Sequence, residues 1–147
     1  MLLHSDCKDF IEVLHKNRVR YVIIGAYALA MHGQPHSTGD IDIWLYPDLE
    51  NAGSVLFALT AFGFASMEIS AADLLSGNII QLGYPPVRID LLTQIDGVSA
   101  AEIWQDRVSG QIDGLEVYFM GKETLRKNKQ SVGRHKDLAD LELLDGK

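Results

Sequence analysis

The sequence is poor in cysteine and in basic residues, and each shortage excludes a class of protein. Cys7 is the single cysteine among 147 residues, so no internal disulfide bond can form. This favours a reducing compartment, and we expect a cytoplasmic protein in which Cys7 is a small packing residue near a helix start. With 13 basic against 20 acidic residues, the net charge is −7. Such a charge disfavours an extended surface that coats nucleic acid.

Long hydrophobic runs are also missing. No apolar run approaches the roughly 20 residues that a membrane-spanning helix needs. The start of the chain, MLLHSDCKDF, lacks the apolar core of a signal peptide, so we expect no contact with a membrane. The apolar content of 47% is nevertheless enough for a packed core. The length suits one domain over residues 1–147.

Helical and strand patterns alternate along the chain, which predicts an α+β (mixed α/β) fold. The predicted strands are VRYVIIG, DIDIWLY, FASMEIS, NIIQLGY and VRIDLLTQ. A hairpin is predicted for RVSGQIDGLEVYFM, with its turn near Asp113 and Gly114. The predicted helices are 5–17, AYALAMHG, 48–62, AADLLS, SAAEIWQD and the chain from about Lys122 to about Leu144, with a break at Gly133.

The strand DIDIWLY carries two aspartates, although aspartate is a poor strand former. Side chains two residues apart in a strand point to the same face, so Asp40 and Asp42 share one face. Ile41 and Ile43 then face the core. Hard cations such as Mg²⁺ prefer carboxylate oxygens, and a cation would relieve the repulsion between the two carboxylates. Two interpretations stay open at this point: a metal site, or two solvated aspartates on an exposed face.

Two neighbouring features bear on this choice. In VIIGAYALA, Gly25 lies between a strand and a helix, where free backbone N–H groups can face an anion and glycine permits close approach of a phosphate. An ordinary strand-to-helix turn is the alternative. In VRIDLLT, Asp90 stands off the apolar face of its own strand. If that strand pairs beside the strand of Asp40 and Asp42, three carboxylates converge.

Together, GAYALAMHG, STGDIDIWL and Asp90 resemble the nucleotidyltransferase signature of the polymerase-beta-like superfamily. That signature is a glycine and a small residue at a helix start, Asp-x-Asp on the next strand and a third carboxylate on a later strand. The tail NKQSVGRHKDLADLELL is similar to the last helix of a small stand-alone bacterial group that includes AbiEii-type toxins. The resemblance covers about residues 21–144. The tail residues that match are Lys129, Arg134, Lys136, Asp137 and Asp140.

The resemblance implies a fold, an activity and a set of site residues. The implied fold is a central mixed β-sheet flanked by helices, with helices at the C-terminus. The implied activity is transfer of a nucleoside monophosphate from a triphosphate such as ATP to a hydroxyl of RNA, protein or a small molecule, with Mg²⁺ or alternatively Mn²⁺. The implied catalytic and metal-binding residues are Asp40, Asp42 and Asp90. The implied nucleotide-binding residues are Gly25, Ala26, Thr38, Lys129 and Arg134.

Two positions depart from the family's pattern. Ala26 stands where the family has a second glycine or a serine, and His36 stands where an arginine often precedes the Asp-x-Asp strand. They keep open an alternative of another class, a catalytically inactive nucleotide-binding or interaction module of the same fold. The resemblance also implies a candidate partner, an antitoxin-like protein, because such stand-alone domains often act in toxin–antitoxin pairs.

The C-terminal polar residues have structural alternatives. Lys129 is expected either to contact phosphate or to be a solvated lysine. Asp137 and Asp140 are expected to orient Lys129 or Arg134 rather than to bind metal. The packing face of the last helix is predicted to consist of Leu138, Leu141 and Leu144.

Three ring-bearing side chains are assigned in the same way. Trp44 follows the aspartates on the same strand face and either stacks on a base or packs in the core. Trp104 is predicted to be core. His32 is expected to contact the end of its helix rather than to bind a metal.

Overall fold

The computed structural model describes residues 5–33, 40–64, 68–84 and 87–146. Within these ranges helices and strands alternate, which confirms the mixed α+β prediction. The helices are α1 (Ser5–Lys16), α2 (Gly25–Met31), α3 (Leu49–Phe62), α4 (Ala71–Leu75), α5 (Ala100–Asp106), α6 (Lys122–Val132) and α7 (His135–Leu144). The strands are β1 (Tyr21–Ile24), β2 (Asp40–Leu45), β3 (Ile80–Tyr84), β4 (Val87–Leu92), β5 (Val108–Ile112) and β6 (Leu115–Phe119). None of these helices is long and apolar enough to cross a membrane.

All of these strands join one mixed sheet, in the order β3-β4-β2-β1-β6-β5. The pairs β1–β2, β3–β4 and β5–β6 are antiparallel, whereas β2–β4 and β1–β6 are parallel. The strand that carries the two aspartates, β2, therefore lies between β1 and β4 in the interior of the sheet. Pairing on both sides fixes the face to which each of its side chains points.

The sheet buries apolar side chains on both of its faces, because successive strand residues alternate between them. On one face, Ile41 and Ile43 pack with residues of α1 and α3 in the larger core. On the other face, Trp44 packs with residues of α2, α5, α6 and α7 in the second core. Asp40 and Asp42 have the parity of Trp44, so they lie on the face of the second core.

A buried asparagine ties the start of α3 to β1. The amide of Asn51 accepts a hydrogen bond from the backbone N of Arg20 at 2.7 Å and donates to the carbonyl oxygens of Arg20 and Tyr46, both at 2.9 Å. Asp48 caps α3 by accepting from the backbone N of Asn51 at 2.7 Å, and it also forms an ion pair with Arg20. These contacts hold the antiparallel pair β1–β2 against α3 and so hold the strand of the two aspartates.

The predicted hairpin and the predicted helix breaks are confirmed. Asp113 and Gly114 have φ angles of 51° and 78°, and a two-residue hairpin turn with both central residues at positive φ matches the twist of the strands. Gly63 ends α3 with a φ of 103°, and Gly133 ends α6 with a φ of 69°. Cys7 is buried in α1, as expected.

The predicted strand FASMEIS is wrong where the structure describes it. Phe64 and residues 68–70 are not in a strand, and residues 65–67 lie outside the described ranges. The physical reason lies in Ser70, which starts α4 instead. Its hydroxyl accepts a hydrogen bond from the backbone N of Asp73, and the Asp73 carboxylate accepts one from the backbone N of Ser70.

The predicted packing face of the last helix is wrong in part. Leu144 is buried, but Leu138 is 46% exposed. Asp137 and Asp140 occupy the inward face together with Leu144. Burial of two carboxylates is tolerated because Lys129, on α6, lies against both of them.

Candidate active site

The three predicted aspartates come together in the interior of the sheet. Strands β2 and β4 are parallel, and their register sets Asp42 directly opposite Asp90 and Asp40 opposite Arg88. The carboxyl groups of Asp42 and Asp90 are close enough to share a hydrogen bond. Asp90 is 7% exposed, and Asp40 and Asp42 are half-buried. The strand pairing on which the convergence of the acids depended is therefore confirmed.

The environment of Asp42 disfavours its negative charge. Burial and the neighbouring charge of Asp90 raise the pKa of Asp42 to about 6, and the charge of Asp40 adds to the effect. Arg88 opposes the shift in that pKa. A carboxyl group that is perturbed by burial and by like charges is typical of functional sites, and a cation placed there would relieve the repulsion.

Gly25 forms the bend beside this cluster. It is the first residue of α2 and has a φ of +68°, a conformation that side chains disfavour. A Cβ atom at this position would lie 2.5 Å from Oδ2 of Asp42. Glycine is therefore needed both for the backbone angle and for the space that the Asp42 carboxylate occupies. The glycine bend and the acids are adjacent, as the sequence predicted.

Arg88 is a member of the site that the sequence analysis missed. Its Nη2 donates to Oδ2 of Asp40 at 2.7 Å and to Oδ2 of Asp90 at 3.3 Å, and its Nε donates to Oδ1 of Asp90 at 3.1 Å. The guanidinium thus joins the acids of two strands. The alternation that singled out Asp90 could have identified Arg88, which precedes it by two residues and shares its face.

The donor set suits a hard divalent cation. Three carboxylates on one face offer the oxygen ligands that Mg²⁺ and Mn²⁺ prefer. Within the described ranges, however, no group of three or more histidine, cysteine, aspartate or glutamate side chains stands ready to hold a metal ion. Arg88 is the cation that lies between Asp40 and Asp90 in this structure.

The basic residues of the tail belong to a different network. Nζ of Lys129 lies 3.2 Å from Oδ2 of Asp140 and 3.4 Å from Oδ1 of Asp137, and all three side chains are nearly buried. Nε of Arg134 donates to Oδ2 of Asp137 at 2.7 Å, a contact that holds the pKa of Asp137 below its usual value. Asp137 therefore contacts both Lys129 and Arg134, and Asp140 contacts Lys129, which agrees with the expectation that these aspartates orient Lys129 or Arg134. Contact of either basic residue with a nucleotide stays a prediction.

Of the two alternatives for Trp44, packing in the core is confirmed. The side chain is fully buried, and its Nε1 donates to the carbonyl oxygen of Thr93 at 3.1 Å. A base cannot stack on a ring that is enclosed in this way. Trp104 is partly buried and packs edge-on against Tyr46, with 6.0 Å between the ring centroids.

The remaining candidates are His32 and two residues of the segment that precedes β2 in the sequence. His32 ends α2, and its Nε2 forms a hydrogen bond with the carbonyl oxygen of Met120 at 2.9 Å, so it has a structural contact near the helix end. Thr38 and His36 lie outside the described residues. The role of Thr38 in nucleotide binding therefore stays a prediction.

The fold is a mixed sheet flanked by helices that brings acids from two parallel strands together. Two solved structures share it. The candidate nucleotidyltransferase TM1012 from Thermotoga maritima superposes with a TM-score of 0.59 and 13% sequence identity, over 100% of this chain and 97% of that one. The lincosamide antibiotic adenylyltransferase LnuA, solved with lincomycin bound, gives a TM-score of 0.52 and 12% identity, over 98% of this chain and 97% of that one.

Sequence comparison adds no family to this structural likeness. No protein-family model matches the chain, and no curated protein sequence matches it. At 12% and 13% identity the two solved structures establish the fold alone. Any function must therefore be argued from the site.

Proposed function

We propose that this chain is a divalent-cation-dependent nucleotidyltransferase, which transfers a nucleoside monophosphate from a triphosphate to an acceptor hydroxyl and releases pyrophosphate. One observation carries the proposal: Asp42 and Asp90 lie opposite each other on parallel strands, with Asp40 on the same face and Gly25 at the Asp42 carboxylate. The nucleotidyltransferase fold of the two similar structures supports it.

Asp40, Asp42 and Asp90 are the residues that would hold Mg²⁺ or Mn²⁺. When bound, the ion supplies charge neutralisation at the phosphates and lowers the pKa of the acceptor hydroxyl. Asp90 is largely buried and lies opposite Asp42 at the site, and we assign to it the acceptance of the hydroxyl proton.

Gly25 and Ala26 would face the triphosphate. Gly25 has no side chain, so the Asp42 carboxylate lies against the backbone of the bend, and a triphosphate held at this carboxylate through an ion would lie beside that backbone. Within the described ranges no side chain caps the start of α2, so its first N–H groups would face the phosphates. Because α2 has only 7 residues, its dipole is weak, and we attribute the role of the bend chiefly to space.

The structure constrains the identity of the acceptor less than that of the nucleotide donor. LnuA is described as a lincosamide antibiotic adenylyltransferase, so ATP and a small hydroxylated acceptor are a natural first pair to test. RNA and protein hydroxyls are the other two acceptor classes. The net charge of −7 disfavours a long duplex nucleic acid. A toxin function with an antitoxin-like partner rests on the resemblance of the C-terminal tail.

The test is a panel of the four α-³²P-labelled nucleoside triphosphates with Mg²⁺ or Mn²⁺. Each is offered with bulk RNA, with protein and with a set of hydroxylated small molecules that includes lincomycin. We expect label transfer that requires the divalent ion and is lost in Asp40→Asn and Asp42→Asn. Asp9→Asn is the matched control, because Asp9 is an exposed aspartate on α1. Transfer by Asp42→Asn at the unsubstituted rate would contradict the mechanism.

A catalytically inactive nucleotide-binding module is the second candidate. The observation that favours it is the pairing of Arg88 with Asp40 and Asp90, which occupies two of the three acids. Calorimetric titration of each triphosphate with and without Mg²⁺ separates the two candidates. Binding without transfer to any acceptor in the panel would favour the inactive module.

A further inference from the structure

We infer that Arg88 is a positioning residue that acts as the internal counter-cation of the acid cluster and competes with a divalent ion for Asp40 and Asp90. The inference deepens the proposed function and rests on it only for the presence of such an ion. Its claim about the metal-free protein rests on the hydrogen bonds of Arg88 alone.

The sheet, rather than a loop, places this guanidinium. Arg88 is directly opposite Asp40 in the register of β2 and β4, and it precedes Asp90 by two residues on the same face. Its side chain is 29% exposed, against 36% for Asp40 and 10% for Asp90. Because Arg88 starts from a strand that is paired on both sides, the backbone holds its long side chain within reach of the Asp40 and Asp90 carboxylates.

Hydrogen bonding by Arg88 engages both oxygens of Asp90. Oδ1 accepts from Nε, and Oδ2 accepts from Nη2, which also donates to Asp40. This is the forked geometry that suits arginine and that lysine cannot reproduce. An ion that binds Asp90 and Asp40 must therefore share these oxygens with the guanidinium or displace it.

Because both are positively charged, Arg88 and a divalent ion largely exclude each other from the acid cluster. Without a cation, carboxylates that share a half-buried face repel each other, so the metal-free protein needs Arg88. With a divalent ion present, the guanidinium and the ion carry like charges within a few ångströms of each other. Removal of the guanidinium should then destabilise the metal-free fold and tighten ion binding, by about tenfold or more.

The test measures Mn²⁺ affinity by calorimetry and thermal unfolding in EDTA, both without nucleotide. Arg88→Gln removes the charge, and Arg88→Lys keeps the charge without the fork. Arg126→Gln is the matched control, because Arg126 also pairs with two carboxylates, Glu123 and Asp145, and is 32% exposed. Asp42→Asn, combined with Arg88→Gln, shows whether the measured ion is at this site.

We expect Arg88→Gln to bind Mn²⁺ at least about tenfold more tightly than the unsubstituted protein and to unfold at a lower temperature in EDTA. Arg88→Lys should lie between the two in affinity, which keeps the test decisive if Arg88→Gln does not fold. Arg126→Gln should leave the Mn²⁺ affinity unchanged. An equal or weaker affinity in both Arg88 variants, or tighter binding that survives Asp42→Asn, would overturn the inference.

These outcomes are separable from the fate of the proposed function. The expected shifts in Mn²⁺ affinity without any label transfer would support the role of Arg88 and contradict only the catalytic proposal. Label transfer by the unsubstituted protein together with an unchanged Mn²⁺ affinity in Arg88→Gln would overturn the role of Arg88 and leave the catalytic proposal intact.

Discussion

Replacement of Gly25 by alanine should disturb the candidate site and leave the protein folded. The new Cβ would lie 2.5 Å from Oδ2 of Asp42 and 3.3 Å from its carboxyl carbon, both inside van der Waals contact. The carboxylate is the far end of a short side chain, so it can rotate away without a shift of the backbone. The substitution therefore displaces Asp42, the acid that neighbours both of the others: Asp40 on its own strand and Asp90 across the pair of strands.

The loss of stability in Gly25→Ala comes from the backbone conformation at residue 25. Alanine at a φ of +68° carries the strain of a left-handed residue, about 1–2 kcal/mol. For a chain of this size, that corresponds to a fall of roughly 2–8 °C in the unfolding midpoint. Rotation of the Asp42 side chain adds little, because that side chain is only half-buried.

The assay combines thermal unfolding, Mn²⁺ titration and label transfer. Gly25→Ala should remain folded with the modest loss above, yet lose transfer and bind Mn²⁺ at least about tenfold more weakly, the loss expected when a ligand is displaced. Gly114→Ala is the matched control, with a φ of +78° and nothing within 4 Å of the added Cβ. It should show the strain alone. Normal Mn²⁺ affinity and normal transfer in Gly25→Ala would refute the placement of Gly25 in the site.

Three further predictions concern charge. Because burial and neighbouring carboxylates raise the pKa of Asp42 to about 6, Mn²⁺ affinity should fall as the pH is lowered from 7 to 5, which calorimetry at each pH checks. The same shift means that the fold binds this proton more strongly than the unfolded chain does, so Asp42 destabilises the metal-free fold as the pH rises from 3.8 to about 6. Asp42→Asn should accordingly raise the midpoint in EDTA at pH 7, and a lowered midpoint would contradict this. Lys129→Met should cost about 3–5 kcal/mol in urea unfolding, since Asp137 and Asp140 stay buried without their lysine. A loss below about 1 kcal/mol, the usual range for an exposed pair, would show that Lys129 is not a structural residue.

The direction of side chains within one strand was predictable, because it is a local property. Alternation in DIDIWLY was enough to place Asp40 and Asp42 on one face and Ile41 and Ile43 in the core. The hairpin turn at Asp113 was predictable for a similar reason, since a two-residue turn demands positive φ at both central positions. Predictions of this kind need no knowledge of what packs against the segment.

Burial of charge was not predictable from one element. Leu138 has the spacing of a packing residue in α7, yet it is exposed while Asp137 and Asp140 point inward. The reversal depends on Lys129, which reaches them from α6. A helical pattern read by itself assigns aspartates to the solvent, because burial of a carboxylate is favourable only when a partner on another element compensates it.

Which strands pair, and in which register, decides whether the cluster of three aspartates exists at all. A shift of β4 by two residues would keep every side chain on its present face and so would satisfy the same alternation. It would set Asp90 opposite Trp44 and would move Arg88 from Asp40 to Asp42. The sequence pattern cannot separate these two registers, but the cost of burying charge can. The shifted register would place the Asp90 carboxylate against the buried indole of Trp44, whereas the observed register sets an apolar residue, Leu92, opposite that indole. On this argument the buried Trp44 indole helps to select the register that brings the three aspartates together.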